Sequence, residues 1–262
     1  MGILNITPDS FSDGGIFLSP EKAITQALRM AEEGADIVDV GGESTRPGAR
    51  SVSVQEELDR VLPVVEALHG RIPLPISIDT SKPEVMRAAV VAGAGFINDV
   101  RALREPGALE AAAQLEVPVC LMHMRGEPRT MQDEPCYADV VGEVRDFLGQ
   151  RRDACLEAGI PASRLVIDPG FGFGKTLQHN IELLRGLKKL GNLGLPVLAG
   201  LSRKSMIGKA LGLPVEQRLH ASVALALMAV QQGARIVRVH DVGPTVEALR
   251  MMQAVYPEMR FI

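Results

Sequence analysis

The chain has 262 residues, is 46% hydrophobic and 23% charged, and carries a net charge of −4. That length suits one α/β barrel of about 250 residues or two smaller domains. The weakly acidic balance, the lack of basic runs and an aromatic content of 3% argue against a nucleic-acid partner, and no apolar run reaches the length of a membrane span.

Taken in chain order, eight short apolar runs read as strands: 2–6, 36–41, 75–79, 95–99, 118–123, 164–168, 196–200 and 235–240. Longer amphipathic stretches such as "SPEKAITQALRMAEEG" and "SVQEELDRVLPVVEALHG" lie between them and read as helices. Near-continuous apolar strands separated by helices imply parallel strands covered on both faces. Gly34-Ala35, Gly93-Ala94 and Gly233-Ala234 end helices, since glycine takes φ > 0 cheaply and lets the chain turn back into the sheet. Pro20, Pro83 and Pro244 stand at or near helix starts. No linker divides residues 1–262, and eight beats in this length predict a single (β/α)8 TIM barrel. A dinucleotide-binding half would carry G-x-G-x-x-G in its first turn, and "NITPDSFSDGG" lacks it. The three cysteines form no C-x-x-C pair and no leader pattern opens the chain, which suits a cytoplasmic setting.

The active site of such a barrel lies at the C-terminal ends of its strands. Those ends deliver Asn5, Asp79, Asn98 with Asp99, Met122 with His123, Asp168, the "LSRKS" run, and Arg238 with His240. Buried charges cost several kcal/mol unless paired or liganded, so this many polar groups on one rim point to a ligand. Asp79, Asn98 and Asp168 offer acceptors to an N–H-rich heterocycle. Arg203, Lys204, Arg238 and His240 form an anion pocket after strands 7 and 8. Asn5 and Asp13 are oxygen donors of the kind Mg2+ accepts. The polar loops 7–15 and 41–50 carry Phe11 and Arg46 near their tips. The five histidines show no zinc spacing, and His123 is expected to stand behind the site.

"DPGFGFGKT" (168–176) invites a phosphate-loop reading, but G-x-x-x-x-G-K-[ST] needs glycine at 169, where Pro169 stands. A tight, side-chain-poor turn then serves as a floor for a flat ring, with the anion site beside Lys204 and not Lys175.

Together, "MGILNITPDSFSDGG", "GGESTRPGA", "ISIDT", "INDV", "LMHMRG", "DPGFGFGK", "SRKSMIG" and "RVHDV" resemble the dihydropteroate synthase family from Met1 to about Val242. The resemblance implies a pterin-binding barrel that joins 6-hydroxymethyl-7,8-dihydropterin pyrophosphate to 4-aminobenzoate, giving dihydropteroate and pyrophosphate. It implies that Asp79, Asn98, Asp168, Lys204 and Met122 hold the pterin, and that Thr45, Arg238 and His240 hold pyrophosphate. Phe11, Arg46, Pro47, Phe173, Lys204 and Ser202 would surround 4-aminobenzoate, where sulfonamides compete. Asn5 and Asp13 would hold Mg2+, and residues 214–233 would contribute to a homodimer. The resemblance also implies a division of labour, with Asp168 serving the pterin and Arg238 the pyrophosphate. Leu201 departs from the family pattern, where many members carry threonine. A pterin-binding methyltransferase barrel and a non-catalytic pterin-binding barrel are the alternatives; the first has no need of "SRKS", "RVH" and the "ESTRPG" loop, and the second has no use for the leaving-group pocket of Thr45, Arg238 and His240.

Overall fold

The computed structural model describes residues 1–7, 20–44, 48–126 and 130–257. Its strands are β1 (Gly2–Asn5), β2 (Val38–Gly41), β3 (Ile76–Asp79), β4 (Phe96–Asp99), β5 (Val119–Met122), β6 (Leu165–Asp168), β7 (Val197–Ala199) and β8 (Ala234–Val237). They pair in parallel in sequence order. The ring closes beyond β8, where the Ile3 N–H donates to the Val239 carbonyl at 2.9 Å and the Val239 N–H donates to the Met1 carbonyl at 3.0 Å. The expected (β/α)8 barrel is therefore formed.

Parallel neighbours need a crossover, and helices supply it. These are α1 (Pro20–Glu32), α2 (Val54–Leu68), α3 (Pro83–Val91), α4 (Ala108–Leu115), α5 (Val140–Glu157) and α6 (Leu177–Arg185), with α7 (Ser205–Leu211) and α8 (Leu219–Gln231) between β7 and β8, and α9 (Val242–Val255) after β8. Pro20 and Pro83 open their helices, and Pro244 is the third residue of its own. Gly34, Gly93 and Gly233 adopt φ of +92°, +117° and +97°, as the turn from helix to strand requires.

Alternation along each strand sorts the side chains into two cores. Residues such as Val38, Val40, Ile78, Ile97, Leu121 and Ile167 face outward and pack with Val61, Leu68 and Met86 of the helices. Phe96, Cys120, Val166 and Leu198, packed with Ile37 and Ile236, fill the barrel interior as an apolar plug. Two residues further along the same strands stand Asp39, Asn98, Met122, Asp168, Gly200 and Arg238. The next interior layer is therefore polar, and it opens at the rim.

Candidate active site

An open space of about 330 Å³ lies above the apolar plug, lined by Asp79, Asn98, Val100, Met122, Asp168, Gly170, Phe171, Phe173, Gly200, Lys204 and Arg238. Arg238 is its electrostatic hub. Its Nε donates to Asp39 Oδ2 at 2.5 Å and its Nη2 to Asp79 Oδ2 at 2.7 Å. Burial alone would weaken the guanidinium's hold on its proton, but Asp39 and Asp79 more than reverse this. Among the described residues Nη1 has no hydrogen-bond partner, which leaves it for a ligand.

Asp39 is fully buried and also accepts from Ser77 Oγ at 2.5 Å and from Asn98 Nδ2 at 3.0 Å. The second of these bonds orients the Asn98 amide: with Nδ2 held, Oδ1 is the atom offered to the cavity. Asp168 follows the same plan, with Oδ1 accepting the Gly170 N–H at 2.7 Å and Oδ2 unbonded among the described residues. Each reading group thus has one atom fixed by the protein and one available to a ligand. Burial raises the pKa of Asp79 to about 7 against the pull of Arg238, and it raises that of Asp168 against the Gly170 N–H and Lys204.

Lys204 places Nζ 4.2 Å from the centre of the Phe173 ring, a cation–π contact that joins the "SRK" and "GFG" segments. Burial lowers its pKa to about 8. His240 Nδ1 lies 3.0 Å from Ser202 Oγ, and the same oxygen accepts the His240 backbone N–H at 3.2 Å. The hydroxyl proton then points to Nδ1, which leaves the ring proton on Nε2. Burial, followed by Arg238, lowers the His240 pKa to about 3. The ring is neutral near pH 7 and serves as a hydrogen-bond donor, not as a second cation.

The turn after β6 is held from several sides. Gly170, Gly172 and Gly174 have φ of +67°, +83° and +62°. A Cβ on Gly170 would overlap the His123 carbonyl oxygen, and one on Gly174 would overlap that of Arg125. These two glycines let the turn lie against the backbone of 123–125, whereas Gly172 faces Lys204. Gln132 Nε2 and Tyr137 Oη donate to the carbonyls of Gly172 and Gly174 at 2.6 and 2.8 Å.

The sequence pattern of the family described as "Pterin binding enzyme" matches residues 1–240. The chain belongs to that pterin-binding enzyme family. It is 58% identical over 254 residues to dihydropteroate synthase of Haemophilus influenzae, covering 97% of this chain and 92% of that one. A crystal structure of the Yersinia pestis dihydropteroate synthase with a sulfonamide drug superposes with a TM-score of 0.94 at 53% identity, covering 98% and 93% of the two chains. The Xanthomonas albilineans dihydropteroate synthase with 4-aminobenzoic acid gives 0.92 at 59% identity, covering 97% and 92%.

Set against these family members, the barrel mouth gathers Asp79, Asn98, Met122, Asp168, Phe173, Lys204 and Arg238 around one cavity. Ser202 and His240 form one hydrogen-bonded pair, although the resemblance assigned them to different ligands. Phe11, Asp13, Thr45, Arg46 and Pro47 lie outside the described residues. Arg203 turns away from the mouth to Asp241, with its Nε 3.0 Å from Oδ2. Asp99 faces outward, where it accepts the N–H groups of Arg101 and Leu103 and the Ser81 hydroxyl. Leu201, the departure from the family pattern, is buried in the outer core.

Sequence reasoning missed Asp39, Ser77 and Lys175. Asp39 was detectable as the one charge between Val38 and Val40, two positions before the rim at Gly41. The burial of Lys175 has no comparable signal, because it follows from the path of the glycine turn.

Proposed function

We propose that the chain is a dihydropteroate synthase, which transfers the pterinylmethyl group of 6-hydroxymethyl-7,8-dihydropterin pyrophosphate to 4-aminobenzoate in folate biosynthesis. The observation that carries this reading is the polar interior layer, where Asn98 Oδ1 and Asp168 Oδ2 have no side-chain partner among the described residues and their side chains line one cavity with Arg238. Acceptors on one side suit the N–H edge of a pterin, and cations on the other suit pyrophosphate.

In this reading the C–O bond to pyrophosphate breaks with its electron pair leaving on oxygen. The positive charge left on the methylene and ring is met by the nearby Asp79 and Asp168 carboxylates. The neutral aniline nitrogen then forms the new C–N bond and loses its proton. Arg238 Nη1, Lys204 and the His240 Nε2–H are the chain's donors to the departing oxygens, an electrostatic contribution of the kind that often dominates catalysis. Phe173, beneath the Lys204 ammonium, forms the wall toward 4-aminobenzoate, the position for which sulfonamides compete.

For Mg2+, the described residues contain no cluster of three or more acidic, histidine or cysteine ligands. What they do offer fits a phosphate-bound ion: Asn5 Oδ1 and Asp79 flank Gly41, whose absent Cβ leaves the space between them open. Asn5, together with Asp13, would hold the ion, which when bound would neutralise charge on the pyrophosphate oxygens.

The expected homodimer would use the last third of the chain. Leu211, Val215, Met228, Met251, Val255 and Tyr256 are exposed there. The α8 run "LHASVALALMAVQ" is apolar on nearly every face yet only partly buried, which suits a helix covered by a second copy. M228E is expected to shift the protein from dimer to monomer in light scattering; an unchanged mass contradicts this interface. Among the described residues no helix is long and apolar enough to cross a membrane. The free thiols of Cys120, Cys136 and Cys155 suit the reducing cytoplasm.

The function is tested by mixing the protein with the pterin pyrophosphate, Mg2+ and 4-aminobenzoate. Pyrophosphate release that depends on 4-aminobenzoate is expected, and its absence excludes the synthase. The Lys204 pKa of about 8 adds a pH signature. The ammonium is charged below that value, so kcat/KM for the pyrophosphate ester falls as pH rises through it. In K204R the cation persists and that alkaline limb disappears; identical profiles for both proteins contradict the role.

A further inference from the structure

Lys175 is a charged side chain only 1% exposed, placed where the glycine turn meets the β5–α5 loop. All three of its donors are used. Nζ lies 2.9 Å from His123 Nδ1, 2.9 Å from the Gly170 carbonyl and 3.0 Å from the Phe173 carbonyl. His123 is neutral, its pKa lowered to about 2 by burial and by Lys175 itself, so Nδ1 is an acceptor for the ammonium. The imidazole is wedged in turn against Phe147, edge to face at 5.0 Å. Burying an ammonium is costly, and burial lowers the Lys175 pKa to about 7 although Asp168 opposes the fall. A turn that needed only to be closed had cheaper means, since Gln132, Tyr137 and Asn180 already hold its outer carbonyls and amides.

The two carbonyls that Lys175 grips flank the site. Gly170 is the residue whose N–H fixes Asp168 Oδ1, and Phe173 carries the ring under Lys204. We propose that Lys175 is a positioning residue that sets Asp168 and Phe173 at a fixed separation, so that the ring reader and the wall facing the second substrate are held by one buried ammonium. The inference rests on the proposed synthase reading for its second substrate, but its pterin half stands without it. Lys175 itself does not line the cavity. The lysine that gave the turn its phosphate-loop look therefore binds the protein's own carbonyls.

The test uses K175M, which keeps the stem and removes every donor, and K175Q, which is one atom shorter and offers two hydrogens to three acceptors. Both are compared with the wild type by thermal melting, by calorimetry with 6-hydroxymethylpterin, and by KM for 4-aminobenzoate. In folded K175M, pterin affinity is expected to fall at least tenfold and KM for 4-aminobenzoate to rise at least tenfold. In K175Q both changes are expected in the same direction, at two- to fivefold. A folded K175M with wild-type values for both constants, whatever its melting temperature, overturns the proposal, because a purely structural lysine would lower stability alone. If K175M does not fold, unchanged constants in K175Q overturn it equally. If the wild type binds pterin but does not turn over, the synthase reading fails, and the pterin arm still decides the role of Lys175.

Discussion

R238M is expected to lose about 3–5 kcal/mol of stability at pH 8 and at least 100-fold in kcat/KM. The guanidinium sits between Asp39 and Asp79 at 2.5 and 2.7 Å. Without it, two carboxylates buried on adjacent strands are left facing each other. The Asp79 carboxyl, which burial already raises to about 7 against the pull of Arg238, would rise further above its unfolded value. The native state would then hold more protons than the unfolded state, so stability would increase as pH falls. The defect should therefore shrink between pH 8 and pH 5, and D39N added to R238M should recover part of it. Denaturant melts at both pH values measure this; a stability loss independent of pH contradicts the assignment of Arg238 as the charge that balances the two aspartates. The same geometry bears on the expected division of labour between Asp168 and Arg238. Arg238 orients Asp79 and, through Asp39, Asn98, so R238M is expected to weaken pterin binding as well as pyrophosphate binding. A cleaner separation of the two affinities is expected between variants of Asp168 and of His240.

G170A is expected to cost about 3 kcal/mol or more and to abolish measurable pterin binding. Two effects combine: φ of +67° disfavours any side chain, and the new Cβ would overlap a backbone carbonyl oxygen that cannot step aside. Gly159 separates the two. Its φ is +87° and nothing lies within 4 Å of the point where a Cβ would stand, so G159A should cost only about 1 kcal/mol. Equal losses in the two variants would show that the turn is not pressed against residues 123–125. G172A falls between them, since its Cβ would meet the flexible Lys204 stem at 3.3 Å.

Much of this architecture was legible in the residues. Eight apolar runs, closing glycines and opening prolines specify the barrel, and its rim collects the polar strand ends. The structure trims most strands by one or two residues and lets the chain after β8 keep pairing through Arg238 and Val239. Parity within a four-residue strand was harder to read. Asn98 and Asp99 are neighbours of similar polarity, yet one faces the cavity and the other ties down an outer loop. Asp39 was hidden for the related reason that a run of buried residues looks uniformly structural until its inward face is known. Lys175 and the Ser202–His240 pair depend on contacts between loops 38 to 52 residues apart, which no local spacing encodes.

The functional reading depends on the polar layer over the barrel plug being the reader of a pterin. A crystal structure of the protein with 6-hydroxymethyl-7,8-dihydropterin pyrophosphate tests this most directly. Ring N–H groups are expected on Asp168 Oδ2 and Asn98 Oδ1, with pyrophosphate reaching Arg238 Nη1 and the His240 Nε2–H. A ring bound away from Asp168, or pyrophosphate seated on the glycine turn at Lys175, would contradict it.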